Sequence, residues 1–284
     1  METVFAATRD ALEKQFGQRL LVENRPGGGG NLGAQVVLAA PADGYTILVP
    51  PANVLVTNPF LYSNMPFDPL RDFAPVTELV ELPLVLAVNT EVPAQTLTEF
   101  LHYARVHPGG VNYASPGAAT PPHLAAAILA RAAKLDLVHV PYKGGSAAAT
   151  ALIAGEVQFM IIGYPTLIGP IQSGRIRPLA VAATARLHAL PAIPTFAESG
   201  HADLEAEIPR GWWGLAVRRG TPDSIIQRLY REFRSALATP EAQKRLRDAG
   251  LVGVVSSPEE FARSLPAQAG AWRAMVRALD LRLE

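Results

Sequence analysis

Three stretches of this 284-residue chain hold residue types that could do chemistry. The first is VENRPGGGGNLGAQVV, residues 22–37, where Gly28, Gly30 and Gly33 fall in the register G-x-G-x-x-G between a strand candidate and a helix candidate. That layout is a dinucleotide fingerprint, whose glycines let a helix N-terminus approach a pyrophosphate. The fingerprint also needs an acid at the end of the second strand to hold the ribose. Here that strand, YTILVPP, ends in prolines, and Asp43 lies before it. A phosphate-cradling P-loop is absent too, because no Gly-Lys-Ser/Thr follows. The glycines therefore read as a structural turn.

The second stretch is NYASPGAATPPHL, residues 112–124, which runs from a strand through Ser115, Gly117 and Thr120 into a helix opening at Pro121 or Pro122. Free backbone amides at a helix start favour an anion, and the two hydroxyls add donors. An ordinary capped strand-to-helix turn explains the same residues. The third stretch, VPYKGGSAA (140–148), repeats the device with Tyr142, Lys143, two glycines and Ser146. Its plain alternative is a tight turn with a solvated lysine. Two such turns in adjacent strand–helix units point to one shared ligand, since crevices form at strand carboxyl ends.

Other chemistries find little support. With no cysteine there is no thiol nucleophile, disulfide or thiolate metal site. The histidines, His102, His107, His123, His139, His188 and His201, form no H-x-x-x-H or H-x-H pair, so no metal is expected. His123, at a helix start, either touches a ligand or helps cap the turn. Ser115 is not in a nucleophile elbow, because Tyr113 stands two residues before it, and no matching acid and base are evident. Trp212 and Trp213 are neighbours on a strand, so at most one faces a cleft.

The elements that must position these turns alternate between strand and helix. RLLVEN, GYTILVP, LPLVLAVN, VNYAS, LVHVPY, VQFMIIG, RPLAVAA and GWWGLAVR are strand candidates. Helices are expected at the N-terminus (Val4, Phe5, Leu12 and Phe16 on one face, Gly17 at its end), over 31–40, and in the segments between the later strands. Three amphipathic helices with Ser/Thr-Pro starts close the chain. TNPFLYSNMPFDPLRDFAPV has too many prolines for a regular element and is expected as an ordered excursion. Alternation of this kind implies an α/β fold with mostly parallel sheets covered on both faces. No floppy linker separates domains, so a split must pass through strands. LPLVLAVN and GWWGLAVR are the crossings expected, giving a discontinuous domain 1 (residues 1–96 and 211–284) and a domain 2 (97–210).

Composition sets the outer bounds. Twenty-five basic residues balance 25 acidic ones, and no basic run with interleaved aromatics occurs, so a nucleic-acid partner is not expected. No apolar run is long enough to span a membrane, and the N-terminus lacks the basic leader and apolar core of a signal peptide.

Taken in order, VENRPG, DGYT, YASPG and VPYKG form a specific combination. With NPFLY, DFAPVTELVELPLVLAVN, GRIRPLAVAATAR and LPAIPTFAESG, they make nearly the whole chain resemble the Bug-type solute-binding receptors of tripartite tricarboxylate transporters. The resemblance implies a type II-like periplasmic binding protein: two mostly parallel sheets joined by crossing strands, closing without chemistry over a small organic carboxylate in the interdomain cleft. It also implies a periplasmic location, a membrane permease as partner, a monomer and no cofactor. Its site residues carry over onto Ser115, Gly117, Ala119 and Thr120, onto Lys143 and Gly144, onto Gly163, and onto Ala52 and Asn53 after YTILVPP.

Three departures stand out. Family members begin with a signal peptide, a first strand of domain 1 and a P-G-G-x-x-D loop, whereas this chain starts just past that loop. Ile162 stands where an acid could pair with an amino group, which disfavours an amino-acid ligand, and Ala151 replaces a usual aspartate on a helix surface. An α/β enzyme acting on a carboxylate or phosphate ester, or a shortened copy without a transport ligand, are the alternatives.

Overall fold

The computed structural model describes residues 2–25, 27–118, 120–208 and 210–278. The chain divides into two units, Met1–Glu81 with Trp212–Glu284, and Leu82–Gly211.

The first unit holds helices α1 (Glu2–Phe16), α2 (Asn31–Ala39), α3 (Ala52–Val56), α4 (Asn58–Leu61) and α5 (Pro69–Asp72), with α11 (Asp223–Leu237), α12 (Pro240–Asp248) and α13 (Pro258–Ala278) from the C-terminal part. Its strands are β1 (Ile47–Leu48), β2 (Phe73–Leu82), β8 (Gly211–Arg218) and β9 (Val252–Gly253), in the order β1-β8-β2-β9. The periodicity of the helices explains their burial. In α11 the positions Ile226, Leu229, Phe233, Ala236 and Leu237 form one buried stripe at helical spacing. The Thr239 hydroxyl accepts from the Ala242 amide at 3.3 Å and so starts α12.

The second unit holds a five-stranded sheet in the order β5-β4-β6-β3-β7. These strands are β3 (Leu84–Asn89), β4 (Val111–Ser115), β5 (Leu137–Pro141), β6 (Phe159–Gly163) and β7 (Ile176–Ala182). Helices α6 (Leu97–Val106), α7 (Pro121–Ala132), α8 (Gly145–Ala154), α9 (Ile168–Gln172) and α10 (Ala202–Glu207) complete it. Thr96 caps α6 by accepting from the Glu99 amide at 3.2 Å. At the sheet's far end, Asn89 donates to the Leu152 carbonyl at 2.8 Å, which ties β3 to the end of α8.

Four sequence expectations change. The sheets are mixed rather than mostly parallel. β4 pairs in parallel with β5 and β6, but β3 is antiparallel to both β6 and β7. In the first unit β1 is antiparallel to β8, and β9 to β2. Second, the border expected at residue 96 falls at 81, because LPLVLAVN is a central strand of the second sheet and not a crossing. All six residues of β3 are buried, as a strand covered on both faces requires. The passages between units fall where β2 gives way to β3 and at the start of β8.

Third, RLLVEN forms no strand: among the described residues no backbone bond joins residues 21–24 to another segment, and Leu21 is 89% exposed. GYTILVP, likewise, yields only the two residues of β1. Fourth, β2 arises in the proline-rich stretch where no strand was expected. β9 pairs with β2 only at Val80 and Glu81, which leaves that edge of β2 without β9 at Pro75.

The four-glycine run also gains its physical reason. Gly27, Gly28, Gly29 and Gly30 all have positive φ, from 55° to 124°. A Cβ on Gly30 would stand 2.7 Å from Val54 Cγ2, and one on Gly27 2.5 Å from Leu32 Cδ1. Beneath the loop, Asn53 Nδ2 donates to the Gly29 carbonyl at 2.7 Å, and Asn58 Nδ2 donates to Asn31 Oδ1 at the same distance. The glycines fold back onto buried asparagines. They do not face a nucleotide.

Candidate functional site

Strands β4 and β5 lie side by side in parallel, Ser115 opposite Pro141, so the two candidate turns that follow them are neighbours. The Tyr142 amide donates to the Ser115 carbonyl at 2.9 Å and the Gly144 amide to the Pro116 carbonyl at 3.1 Å. The sequence placed two similar turns here. The structure makes them chemically different.

The turn before α7 is closed on itself. Ser115 is fully buried. Its hydroxyl donates to the Gly117 carbonyl at 2.8 Å, accepts from the Gly117 amide at 3.2 Å, and lies 2.7 Å from His139 Nε2. The Ser115 hydroxyl is thus engaged by both Gly117 and His139. Thr120 is spent in the same way, donating to the Gly117 carbonyl at 2.8 Å. The start of α7 is also poor in donors, since its first two residues, Pro121 and Pro122, carry no N–H. Gly117, at φ 146°, holds a backbone form that side chains disfavour. Ala119 lies outside the described residues.

The turn before α8 is open. Gly144, at φ 102°, is its N-cap and has no atom within 4 Å of where a Cβ would stand. The first intrahelical bond runs from the Ala148 amide to the Gly144 carbonyl. The amides of Gly145, Ser146 and Ala147 therefore have no acceptor in the helix ladder, as at every helix start. Lys143 is exposed beside them, with no ion pair among the described residues. Three amides at a helix start, the helix dipole and one ammonium group are the donors and charge that an anion site uses. Ile162, from β6, reaches the same place: its Cδ1 is 3.2 Å from a Cβ built on Gly145. No carboxylate stands at that position to pair with an ammonium.

Gly163 ends β6 and is buried. A Cβ there would be 2.8 Å from Leu82 Cδ1, so close packing already accounts for this glycine. In the first unit, Ala52 and Asn53 are both buried in the first turn of α3, and the Asn53 amide is committed to Gly29 and to Asn58 Oδ1. Trp212 is core, stacked edge-on against Phe261 with its Nε1 donating to Gln268 at 2.7 Å.

Sequence reasoning missed one cluster entirely. Under the α7 turn, His123 and His139 stack with ring centroids 3.8 Å apart, and Tyr113 stacks on both. Burial pushes His123 down to about 4, with the neighbouring His139 adding to the shift. Burial lowers His139 as well and pushes Tyr113 up to about 12. Both imidazoles are thus neutral at pH 7. The two histidines are 16 positions apart in the chain (123 and 139), on a helix start and a strand, so no spacing rule could have paired them. Among the described residues, no three His, Cys, Asp or Glu side chains gather as a metal site would need.

Known proteins resemble the chain over nearly its whole length. The model of the tripartite tricarboxylate transporter family receptor matches residues 4–281. A UPF0065 protein from the tcbD-tcbE intergenic region of a Pseudomonas species is 36% identical over 265 residues, covering 93% of this chain and 78% of its own. Protein BugT of Bordetella pertussis is 28% identical over 285 residues, covering 100% and 86%. Among solved structures, Rpa4515 of R. palustris with adipate superposes with a TM-score of 0.91 at 28% identity, over 99% of this chain and 93% of that one. MatC of Rhodopseudomonas palustris with bound malate gives 0.86 at 28% identity, over 97% and 94%. Adipate and malate are both small dicarboxylates. The chain belongs to the tripartite tricarboxylate transporter receptor family.

Proposed function

We propose that this protein is a non-catalytic receptor that captures a small organic carboxylate, one end of which rests on the start of α8. The observation that carries the reading is the pairing there of free amides at Gly145, Ser146 and Ala147 with the unpaired Lys143 side chain. Ile162 at the same spot supports a plain carboxylate over an amino acid, whose ammonium would be left without a partner. The α7 turn, with Ser115, Gly117 and Thr120, contributes as the rigid wall against which the open turn is held. Ala52, Asn53, Ala119 and Gly163 stay in the proposal as ligand contacts on the family resemblance alone.

Among the described residues, the Ser115 hydroxyl is already engaged by Gly117 and His139 and no acid accompanies the His139 ring, which supports a receptor over an enzyme. The family and a solved periplasmic neighbour further support a periplasmic protein that hands its ligand to a membrane permease, and the monomer is proposed on the family resemblance alone.

Titration calorimetry with adipate and with malate tests the reading. Saturable binding of either, with the acid recovered unchanged, is the expected result. Heat without saturation, or chemical conversion of the acid, refutes it. Gel filtration and co-purification with the permease subunits test the remaining two proposals.

A further inference from the structure

In the first unit, a chain of buried asparagines that supports the glycine loop ends on a sulfur. The Gly29 carbonyl accepts from Asn53 Nδ2 at 2.7 Å and from Asn58 Nδ2 at 3.2 Å. A carbonyl can only accept, so both asparagines must turn their NH2 groups towards it, and this fixes which way round each amide sits. Asn58 Oδ1 accepts from Asn53 Nδ2 at 3.1 Å, and the Asn58 NH2 group donates again, to Asn31 Oδ1 at 2.7 Å. With its oxygen occupied in this way, Asn31 must present Nδ2 on its other side. There it donates to Met65 Sδ at 3.3 Å. All three asparagines are buried, at 5% exposure or less.

A thioether is a weak acceptor, so it is an unusual end for a buried amide. It is also an acceptor that a mild oxidant converts into something else. Among the described residues Asn31 Nδ2 has no other acceptor. Met65 lies in the turn after α4, half-buried between the exposed Ser63, Asn64 and Pro66. Met160, by contrast, is fully buried in β6. The acceptor that completes the asparagine chain is therefore the one within reach of a small reagent in water.

We propose that Met65 is a modification site for peroxides, and that its oxidation releases the glycine loop from its asparagine support. The sulfur attacks one peroxide oxygen: an S–O bond forms, the O–O bond breaks, and the incoming oxygen's proton passes to the departing hydroxide, which leaves as water. Sulfur loses two electrons and the peroxide gains them. One sulfur lone pair already faces the Asn31 N–H, so the oxygen enters on the other. The sulfoxide sulfur then carries a partial positive charge towards that N–H, and the buried amide loses its acceptor. Because Asn31 Oδ1 holds Asn58, and Asn58 holds the Gly29 carbonyl, the loss passes along the chain to the loop.

The test treats the full chain with hydrogen peroxide and follows it by peptide mass mapping and amide exchange. Met65 should form its sulfoxide about tenfold faster than Met160. A Met275→Leu background removes the other half-buried methionine, so that the response belongs to Met65. The amides of Gly30 and Asn31 close the loop onto the Gly27 and Gly28 carbonyls. In that background, oxidation should speed exchange at these two amides about fivefold and lower the thermal midpoint by about 3 °C. Methionine sulfoxide reductase should restore both. Adding Met65→Leu removes the acceptor and the oxidisable sulfur together, so exchange there should be fast from the start and indifferent to peroxide. The proposal is overturned if Met160 oxidises as fast as Met65, or if the Met65→Leu protein still responds at those amides. It is also overturned if the Met65 sulfoxide leaves their exchange unchanged or slows it, since the new oxygen would then have taken over the Asn31 amide.

Discussion

The two strand–helix turns of the second unit look alike in sequence and differ in what they leave free. The α7 turn spends both hydroxyls and both prolines on its own closure, and beneath it the buried His123 stacks on the half-buried His139. The α8 turn keeps its amides and its lysine unspent. A turn that satisfies itself offers position, while one that does not offers free donors. Donor-rich residue types therefore do not identify the binding turn; the accounting of where each donor goes does.

The sharpest way to break this comparison is Ser115→Ala. The hydroxyl serves the Gly117 amide, the Gly117 carbonyl and His139, so its loss should lower unfolding stability by roughly 2–3 kcal/mol in denaturant titration. An unchanged midpoint together with lost adipate binding would show instead that Ser115 touches the ligand directly.

Acidification should act on the same turn. The folded pKa of His123 lies near 4, below its value in the unfolded chain, so its contribution is fully present above about pH 6.5 and fades as pH falls towards 4. In that window the unfolded state binds more protons, and about 2 kcal/mol of stability should be lost. His139, stacked beside it, shifts the same way and adds to the loss. His123→Phe keeps a stacked ring without the titration and should flatten the pH dependence of the midpoint; an unaltered slope would contradict the assignment.

At the open turn the expected effects are smaller and appear in binding. Gly144→Ala forces a side chain into φ 102°, a strain of about 1 kcal/mol or more that should cost about fivefold or more in adipate affinity. Lys143→Ala should cost about threefold and lessen the salt dependence of binding, since an exposed charge acts through a screened field. Equal losses from Lys143→Ala and Thr120→Val would erase the distinction between the turns, because the Thr120 hydroxyl is already given to Gly117.

Much of the fold was legible locally. Strands β3 to β7 were placed because buried runs such as VQFMIIG and RPLAVAA sit between helices with clear caps, Thr96 before α6 among them. RLLVEN misled for a related reason. It has strand composition, but a strand exists only where another backbone bonds to it, and composition cannot count partners. LPLVLAVN was recognised as a strand and assigned to the wrong unit, since an apolar run says that both faces are covered and not by which sheet. β2 escaped because Pro75 argues against a strand unless its missing N–H faces an unpaired edge.

The sequence by itself determined the α/β class, the family, the two turns and the structural meaning of the glycine run, all of which depend on short-range patterns. Only the tertiary structure decided which turn is open, that His123 and His139 meet face to face, and that β3 runs against its neighbours. Each of these turns on which distant group takes a given hydrogen bond or covers a given face, and a linear pattern of residue types carries no record of that choice.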